Sequence, residues 1–249
     1  MPPRPLTVLD RRSLLKALSL APAFAVAIPA RARAEAQEAG LITPDVCLLQ
    51  PEVTEGPYYL DESLIRQDIA EGRPGLPLVL RLQVVTADCR PVPGARVDVW
   101  HCDALGVYSG VENLGGGEDT VGQTFLRGTQ LTDSEGISTF QTIFPGWYRG
   151  RTTHIHYKVF LDETTVLTSQ IFFDETVNQA IYDDHDAYER PEARDMLNAA
   201  DSIAAEAGQG AYATVRMTEP DGAMEAALVV GIKPEGGSAG LLDWLWKRG

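Results

Sequence analysis

The chain has 249 residues, ample for a sizeable core. Its 23 glycines and 16 prolines are scattered without a period, which excludes a collagen-like or low-complexity chain. With 35 acidic against 21 basic residues the formal charge is -14 and no basic patch offsets it, so a nucleic-acid partner is excluded: phosphate binding rests on lysine and arginine.

Residues 1–34 read as an export address. The run Asp10-Arg11-Arg12-Ser13-Leu14-Leu15-Lys16 gives a basic start, Ala17 to Ala30 an uncharged stretch, and Ala32-Arg33-Ala34 a small-x-small cleavage signal. The Arg11-Arg12 pair indicates the twin-arginine route, so the expected address is periplasmic or extracellular. The uncharged stretch is shorter than the roughly 20 residues a bilayer requires, so no membrane span is expected in the mature form. Removing six basic residues and one acidic residue with this leader leaves 15 basic and 34 acidic, a net charge of -19. Cys47, Cys89 and Cys102 all fall in the mature part, where a disulfide is permitted. Three pairings are open, one of which joins Cys47 to Cys89 and leaves Cys102 buried.

From Leu78 to Val85 apolar and polar residues alternate, the period of a half-buried strand. Pro91, Pro93 and Gly94 punctuate a turn, and Arg96 to Trp100 reads as the returning strand. Further strands are expected at Phe125 to Leu131, Ser138 to Ile143, His154 to Phe160, Thr168 to Phe173, Tyr212 to Met217 and Ala226 to Ile232. Between Pro191 and Gly208, apolar residues at Met196, Leu197, Ala200, Ile203, Ala204 and Ala207 recur at helical spacing. The expected fold is mainly β, an antiparallel β-sandwich or barrel over residues 35–240 with one or few peripheral helices. Gly110 to Gly122 reads as a surface loop, and residues 241–249 as a tail whose Trp244 and Trp246 are expected to dock on this protein or on a neighbouring subunit, making a homo-oligomer the candidate assembly.

Two of the four histidines, His154 and His156, flank Ile155 on an expected strand, so both imidazoles project to one face. Taken alone, the pair suits a metal site and a pair of partly exposed strand histidines equally. Tyr148 and Arg151 lie just before it in a turn-rich approach, and Tyr108 opens the glycine-rich loop. His101 is expected to pack in the core, His185 to lie in a solvated acidic loop with Asp183, Asp184 and Asp186, and Arg127 to fix a loop.

Over roughly residues 50 to 175 the sequence resembles the intradiol ring-cleavage dioxygenases, non-haem ferric enzymes acting on catechols. The resemblance rests on Thr54-Glu55-Gly56-Pro57-Tyr58-Tyr59; on Pro93-Gly94-Ala95 leading into Val97-Asp98-Val99-Trp100; on Gly106-x-Tyr108; on Phe125-Leu126-Arg127-Gly128 with Thr132-Asp133 and Gly136; and on Pro145-Gly146-x-Tyr148-x-x-Arg151-x-x-His154-Ile155-His156. It implies a transthyretin-like sandwich topology and an Fe(III) ion held by Tyr108, Tyr148, His154 and His156. Tyr148 and His156 are implied as axial ligands, and Arg151 and Gln170 as groups beside the substrate, the glutamine by a looser match. The implied partners are a small aromatic diol and O2, and the implied product is a cis,cis-muconate-type diacid. The short stretch before the strands resembles the compact protocatechuate-type subunit or exported single-domain members, not the branches with a helical dimerisation domain.

The ligand set has a physical logic of its own. Holding one phenolate at pH 7 costs about 4 kcal/mol against a pKa near 10, so two of them call for a hard, highly charged cation. Ferric iron with two phenolates and a hydroxide sums to zero charge, which lowers the penalty of burial; zinc or ferrous iron with the same ligands is net negative. Two rivals share single features. A transthyretin-like or carboxypeptidase-regulatory-like binding module has a similar Pro93-Gly94-Ala95 turn, but no use for both tyrosines and both histidines. A cupin also has a His-x-His strand, but expects a glutamate where Phe160 and Leu161 stand.

Overall fold

Alternating burial along β1 (Pro77–Thr86) sends Leu78, Leu80, Leu82 and Val84 inward and leaves Arg81 and Gln83 half-buried on the other side. Seven more strands follow: β2 (Arg96–Trp100), β3 (Arg127–Leu131), β4 (Ile137–Ile143), β5 (His154–Leu161), β6 (Thr164–Phe172), β7 (Thr214–Thr218) and β8 (Ala223–Ile232). Two short helices, α1 (Glu175–Asp184) and α2 (Ser202–Ala207), lie between β6 and β7. The structure is a computed structural model that describes residues 49–112, 119–218 and 222–233. The expected leader (1–34), the C-terminal tail, Cys47 and the three consecutive glycines at 115–117 lie outside the described residues.

The strands form two four-stranded sheets, in the orders β4-β1-β8-β7 and β3-β2-β5-β6. Leu80, Leu82 and Val84 from the first sheet and Val97, Val99, Ile155, Tyr157 and Val159 from the second belong to one buried cluster, the interior of a sandwich. The residues between them, Trp100, His154, His156 and Gln170, therefore stand on the outer face of the second sheet. That face is not solvated. All four residues are at most 2% exposed, because loops and α2 close over them. Ala204 and Ala207 of α2 pack with Val53, Phe172 and Ala211.

Four expectations are corrected. The sandwich is not wholly antiparallel, since β1 pairs with β8 in parallel; the chain reaches β8 through β7, and β8 slots between β7 and β1. Arg96 to Trp100 does not return beside β1 but crosses to the other sheet, where β2 pairs with β3 and β5. The turn is held locally instead, by Thr86 N–H donating to Arg90 C=O and a bridge from Val85 to Pro91.

The helix expected across Pro191 to Gly208 is reduced to a single 3-10 turn at Asn198–Ala200 and α2. Side chains before it are committed elsewhere: Arg194 pairs with Glu175, Asp195 accepts from Gly150 N–H, and Asn198 donates to Phe173 C=O. Leu197, part of the expected apolar stripe, is exposed. The acidic run around His185 is not simply a loop. Asp183 and Asp184 end α1, and His185 caps it with its backbone N–H on Ile181 C=O. Carboxylates at a helix C-terminus oppose the macrodipole, and only Asn178 and Ile181 of α1 are fully buried, so the segment carries almost no helical signature.

Cys89 is disulfide-bonded and Cys102 is a buried free thiol. Among the described residues no helix is long and apolar enough to cross a membrane. Leu80 is fully buried and opposed by Phe140 on one side and Ala226 on the other. Leu80→Ala should cost about 2–5 kcal/mol, read as a lower urea midpoint at unchanged slope.

Candidate metal centre

Strand β5 fixes the two histidines, with Ile155 between them turned into the core. Thr152 C=O can only accept, so the 2.7 Å contact to His154 Nδ1 places the proton there and leaves a lone pair on Nε2. Around that one nitrogen stand His156 Nε2 at 3.1 Å, Tyr148 Oη at 3.2 Å and Tyr108 Oη at 3.4 Å. The two phenol rings meet edge-on, with centroids 5.7 Å apart. His156 is clamped by its ladder neighbours, Trp100 and Gln170. The Trp100 indole stacks on its ring at 4.8 Å and 9°, and its Nδ1 is buried with no hydrogen-bond partner among the described residues.

The tyrosines come from two loops that meet because each carries a glycine two residues earlier. Gly106 sits at φ +86°, where a Cβ would drive into Trp147 C=O; a Cβ on Gly146 would drive into Ala104 C=O. Asp103 shapes the first loop by accepting from Leu105 and Val107 N–H and pairs with Arg73. Tyr58 stacks on Tyr108 with ring centroids 4.2 Å apart and meets Tyr148 edge-on.

Arg151 lies beside this cluster. Its guanidinium donates through NH2 to Gln170 Oε1 at 2.6 Å and through Nε to Asp201 Oδ2 at 2.8 Å, while NH1 stands 3.5 Å from His154 Nε2. Gln170 in turn donates to Thr54 C=O at 3.0 Å. All six residues singled out in the sequence, Tyr108, Tyr148, Arg151, His154, His156 and Gln170, thus lie in one neighbourhood.

A family model described as dioxygenase matches residues 51–218, the span holding strands β1 to β7 and every one of these groups. The chain belongs to the intradiol ring-cleavage dioxygenase family. An intradiol ring-cleavage dioxygenase from Tetranychus urticae superposes with a TM-score of 0.72 at 36% identity, over 78% of this chain and 98% of that one. The catechol 1,2-dioxygenase of Acinetobacter baylyi is 31% identical over 145 residues, 49% of this chain and 45% of that protein. The protocatechuate 3,4-dioxygenase beta chain of Burkholderia cepacia is 32% identical over 124 residues, 46% of this chain and 52% of that one. The chain spans about half the length of the curated relatives it matches.

The donor atoms in this intradiol fold suit a single ion. For metal–ligand bonds of about 2.1 Å, ligand atoms at tetrahedral angles stand about 3.4 Å apart and those at right angles about 3.0 Å, which brackets the separations around His154 Nε2. Burial, with Arg151 and other nearby positive groups, holds His154 down to about 3 and His156 well below the ordinary imidazole range, so both are neutral at pH 7, the form that can ligate. Burial also pushes Tyr108 and Tyr148 well above the ordinary phenol range. The phenols are thus harder to ionise than free tyrosine, and only a strongly charged cation among them reverses that. Among the described residues no cluster of three or more His, Cys, Asp or Glu could hold a metal, so a centre here depends on tyrosine oxygen, a preference of hard ferric iron.

Two further sequence candidates fall where expected. His101 spends both ring nitrogens inside the core, on Cys102 C=O and Thr142 Oγ1. Arg127 ties the two covering loops by donating to Ser109 and to Tyr58 C=O. Sequence reasoning missed Asp201, which lay inside an expected helix, and the stacking of Trp100, which strand parity beside His156 could have supplied.

Gly106→Ala should separate the tyrosine loops, lowering stability by about 1–3 kcal/mol, checked by denaturation. The three buried histidines have depressed folded-state pKa values, His101 down to about 4 and His154 to about 3 through burial. Their contribution is therefore complete above the unfolded value of about 6.5 and is lost as pH falls toward those folded values. Metal-free protein should lose stability from about pH 6.5 downward, at about 1.4 kcal/mol per pH unit for each proton taken up on unfolding. Urea midpoints between pH 7 and 5 measure it, and a flat profile contradicts neutral burial.

Proposed function

We propose that this protein is a non-haem Fe(III) intradiol dioxygenase that inserts both atoms of O2 into a catechol-type ring and releases a cis,cis-muconate-type diacid. The observation that carries the proposal is the convergence of two tyrosine oxygens and a histidine nitrogen within 3.4 Å of His154 Nε2. A binding module has no use for four such donors in a buried cluster. Tyr108, Tyr148, His154 and His156 would hold the iron, which when bound draws electron density from a chelated catechol so that O2 attacks ring carbon without an external reductant.

The roles of the chain's own groups follow from their placement. Tyr108 is 4% exposed and packed under Tyr58, so it acts as a permanent ligand. Tyr148 is less buried and stands at the loop edge, where its Oη can accept a phenolic proton from an arriving diol. Arg151 presents fixed N–H donors to the negative charge that develops on the ring, preorganised donation worth roughly 2.7–4 kcal/mol. Gln170 holds that guanidinium in place through its Oε1 while its amide is anchored on Thr54 C=O. Trp100 and Phe172 exclude water from the histidine side. We further propose that the twin-arginine leader expected at residues 1–34 carries this activity out of the cytoplasm.

Protein purified from iron-replete cells should carry about one ferric ion and be coloured by phenolate-to-iron charge transfer. A panel of substituted catechols should consume O2 and yield diacid, and Tyr148→Phe should alter the absorption band and slow turnover by about 10²-fold, the scale of a lost proton acceptor. A colourless preparation that stays inert after ferric reconstitution sinks the proposal.

A further inference from the structure

We infer that Asp201 is the positioning residue for Arg151, making the loop before α2 part of the active site. The inference rests on the dioxygenase reading for its catalytic consequence, but on geometry alone for the contact. Asp201 is 3% exposed, and its two oxygens have separate tasks. Oδ1 accepts from Ile203 N–H at 2.8 Å and Ala204 N–H at 3.0 Å, capping α2. Oδ2 accepts from Arg151 Nε at 2.8 Å and from Thr152 N–H at 3.0 Å. One buried carboxylate therefore holds the arginine and also the backbone of Thr152, whose own carbonyl fixes the tautomer of His154.

The charge balance gives this contact a purpose beyond packing. A guanidinium with its NH1 3.5 Å from His154 Nε2 would be repelled by any cation bound at that nitrogen. Asp201 neutralises the guanidinium through Nε, an atom other than the one that faces His154, so Nη1 keeps its place beside that nitrogen. Gln170 is neutral and fixes direction only. An arginine side chain freed from Asp201 would turn its long, flexible stem toward solvent. Because a carboxylate paired with four donors leaves nothing of its own to react with substrate, Asp201 acts through Arg151 and is not itself catalytic.

The test is Asp201→Asn in the full iron-loaded protein. Asparagine retains a capping oxygen for α2 but sets an NH2 against Arg151 Nε–H and Thr152 N–H, a donor facing two donors. The expected result is unchanged iron content, a kcat on catechol reduced about 10²-fold, and no further loss when the change is made in an Arg151→Ala background. Equal losses in both backgrounds would overturn the inference, because the residue would then act by general destabilisation. A second readout does not depend on turnover or on the variant folding. In the metal-free wild type, where no paramagnetic ion broadens the signal, the Arg151 Nε–H should exchange with solvent far more slowly than exposed arginines, followed by nitrogen-15 NMR. Exchange at the exposed-arginine rate overturns the positioning role. A wild type inert toward every catechol, with Arg151 Nε–H still protected, would fault the dioxygenase reading and leave the contact standing.

Discussion

The site depends on the parity of one strand. In β5, Ile155, Tyr157 and Val159 enter the sandwich interior while His154 and His156 leave by the other face. A slip of one residue would put both imidazoles into an apolar core and isoleucine among the tyrosines. Register then completes what parity begins: pairing His156 with Trp100 and Gln170 stacks one ring face and sets the amide on the other side. The covalent chain contributes His-x-His, and the ladder contributes everything that orients it.

Antiparallel sheets commonly leave one face to water, and here the face opposite the main core is sealed. Burying polar groups is tolerable only when each finds a partner, and the covering loops are built accordingly. Arg127 binds the segments that carry Ser109 and Tyr58, and Asp201 binds those that carry Arg151 and Ser202. Gly106 and Gly146 let the two tyrosine loops touch backbone to backbone. The glycine two residues before each tyrosine is thus a steric condition for convergence, which gives the spacing Gly-x-Tyr a mechanical meaning at both places.

Strands with clean alternation were legible from sequence, as at Leu78 to Val84, because burial on one face writes period two directly into the residues. Pairing partners were not: nothing local distinguishes the parallel neighbour β8 from an antiparallel one, or tells that Arg96 to Trp100 leaves the sheet of β1. Helix α1 was hidden by its acidic last turn and thin apolar face, and the segment before α2 looked helical because its apolar spacing ignores the side-chain bonds of Arg194, Asp195 and Asn198. The six site residues were legible through motif resemblance joined to strand parity. Asp201 was not, since it lay inside the apolar spacing that read as one helix, and its second oxygen is committed only across the fold.

The electrostatics of the cluster divide its four donors into two kinds. Burial disfavours charge of either sign, so it keeps the imidazoles neutral, which is their ligating form, and keeps the phenols protonated, which is not theirs. The histidines are therefore ready at neutral pH, whereas each tyrosine would have to release a proton to bind a cation, a coupling that would make metal affinity rise with pH. The larger the ionisation cost imposed by burial, the higher the cation charge needed to meet it, so the same desolvation that prepares the histidines selects against weakly charged metals. Arg151 fits this balance only as half of a neutral pair. A lone guanidinium would raise the cost of binding any cation at His154, and the buried carboxylate of Asp201 removes that cost without touching the donors themselves.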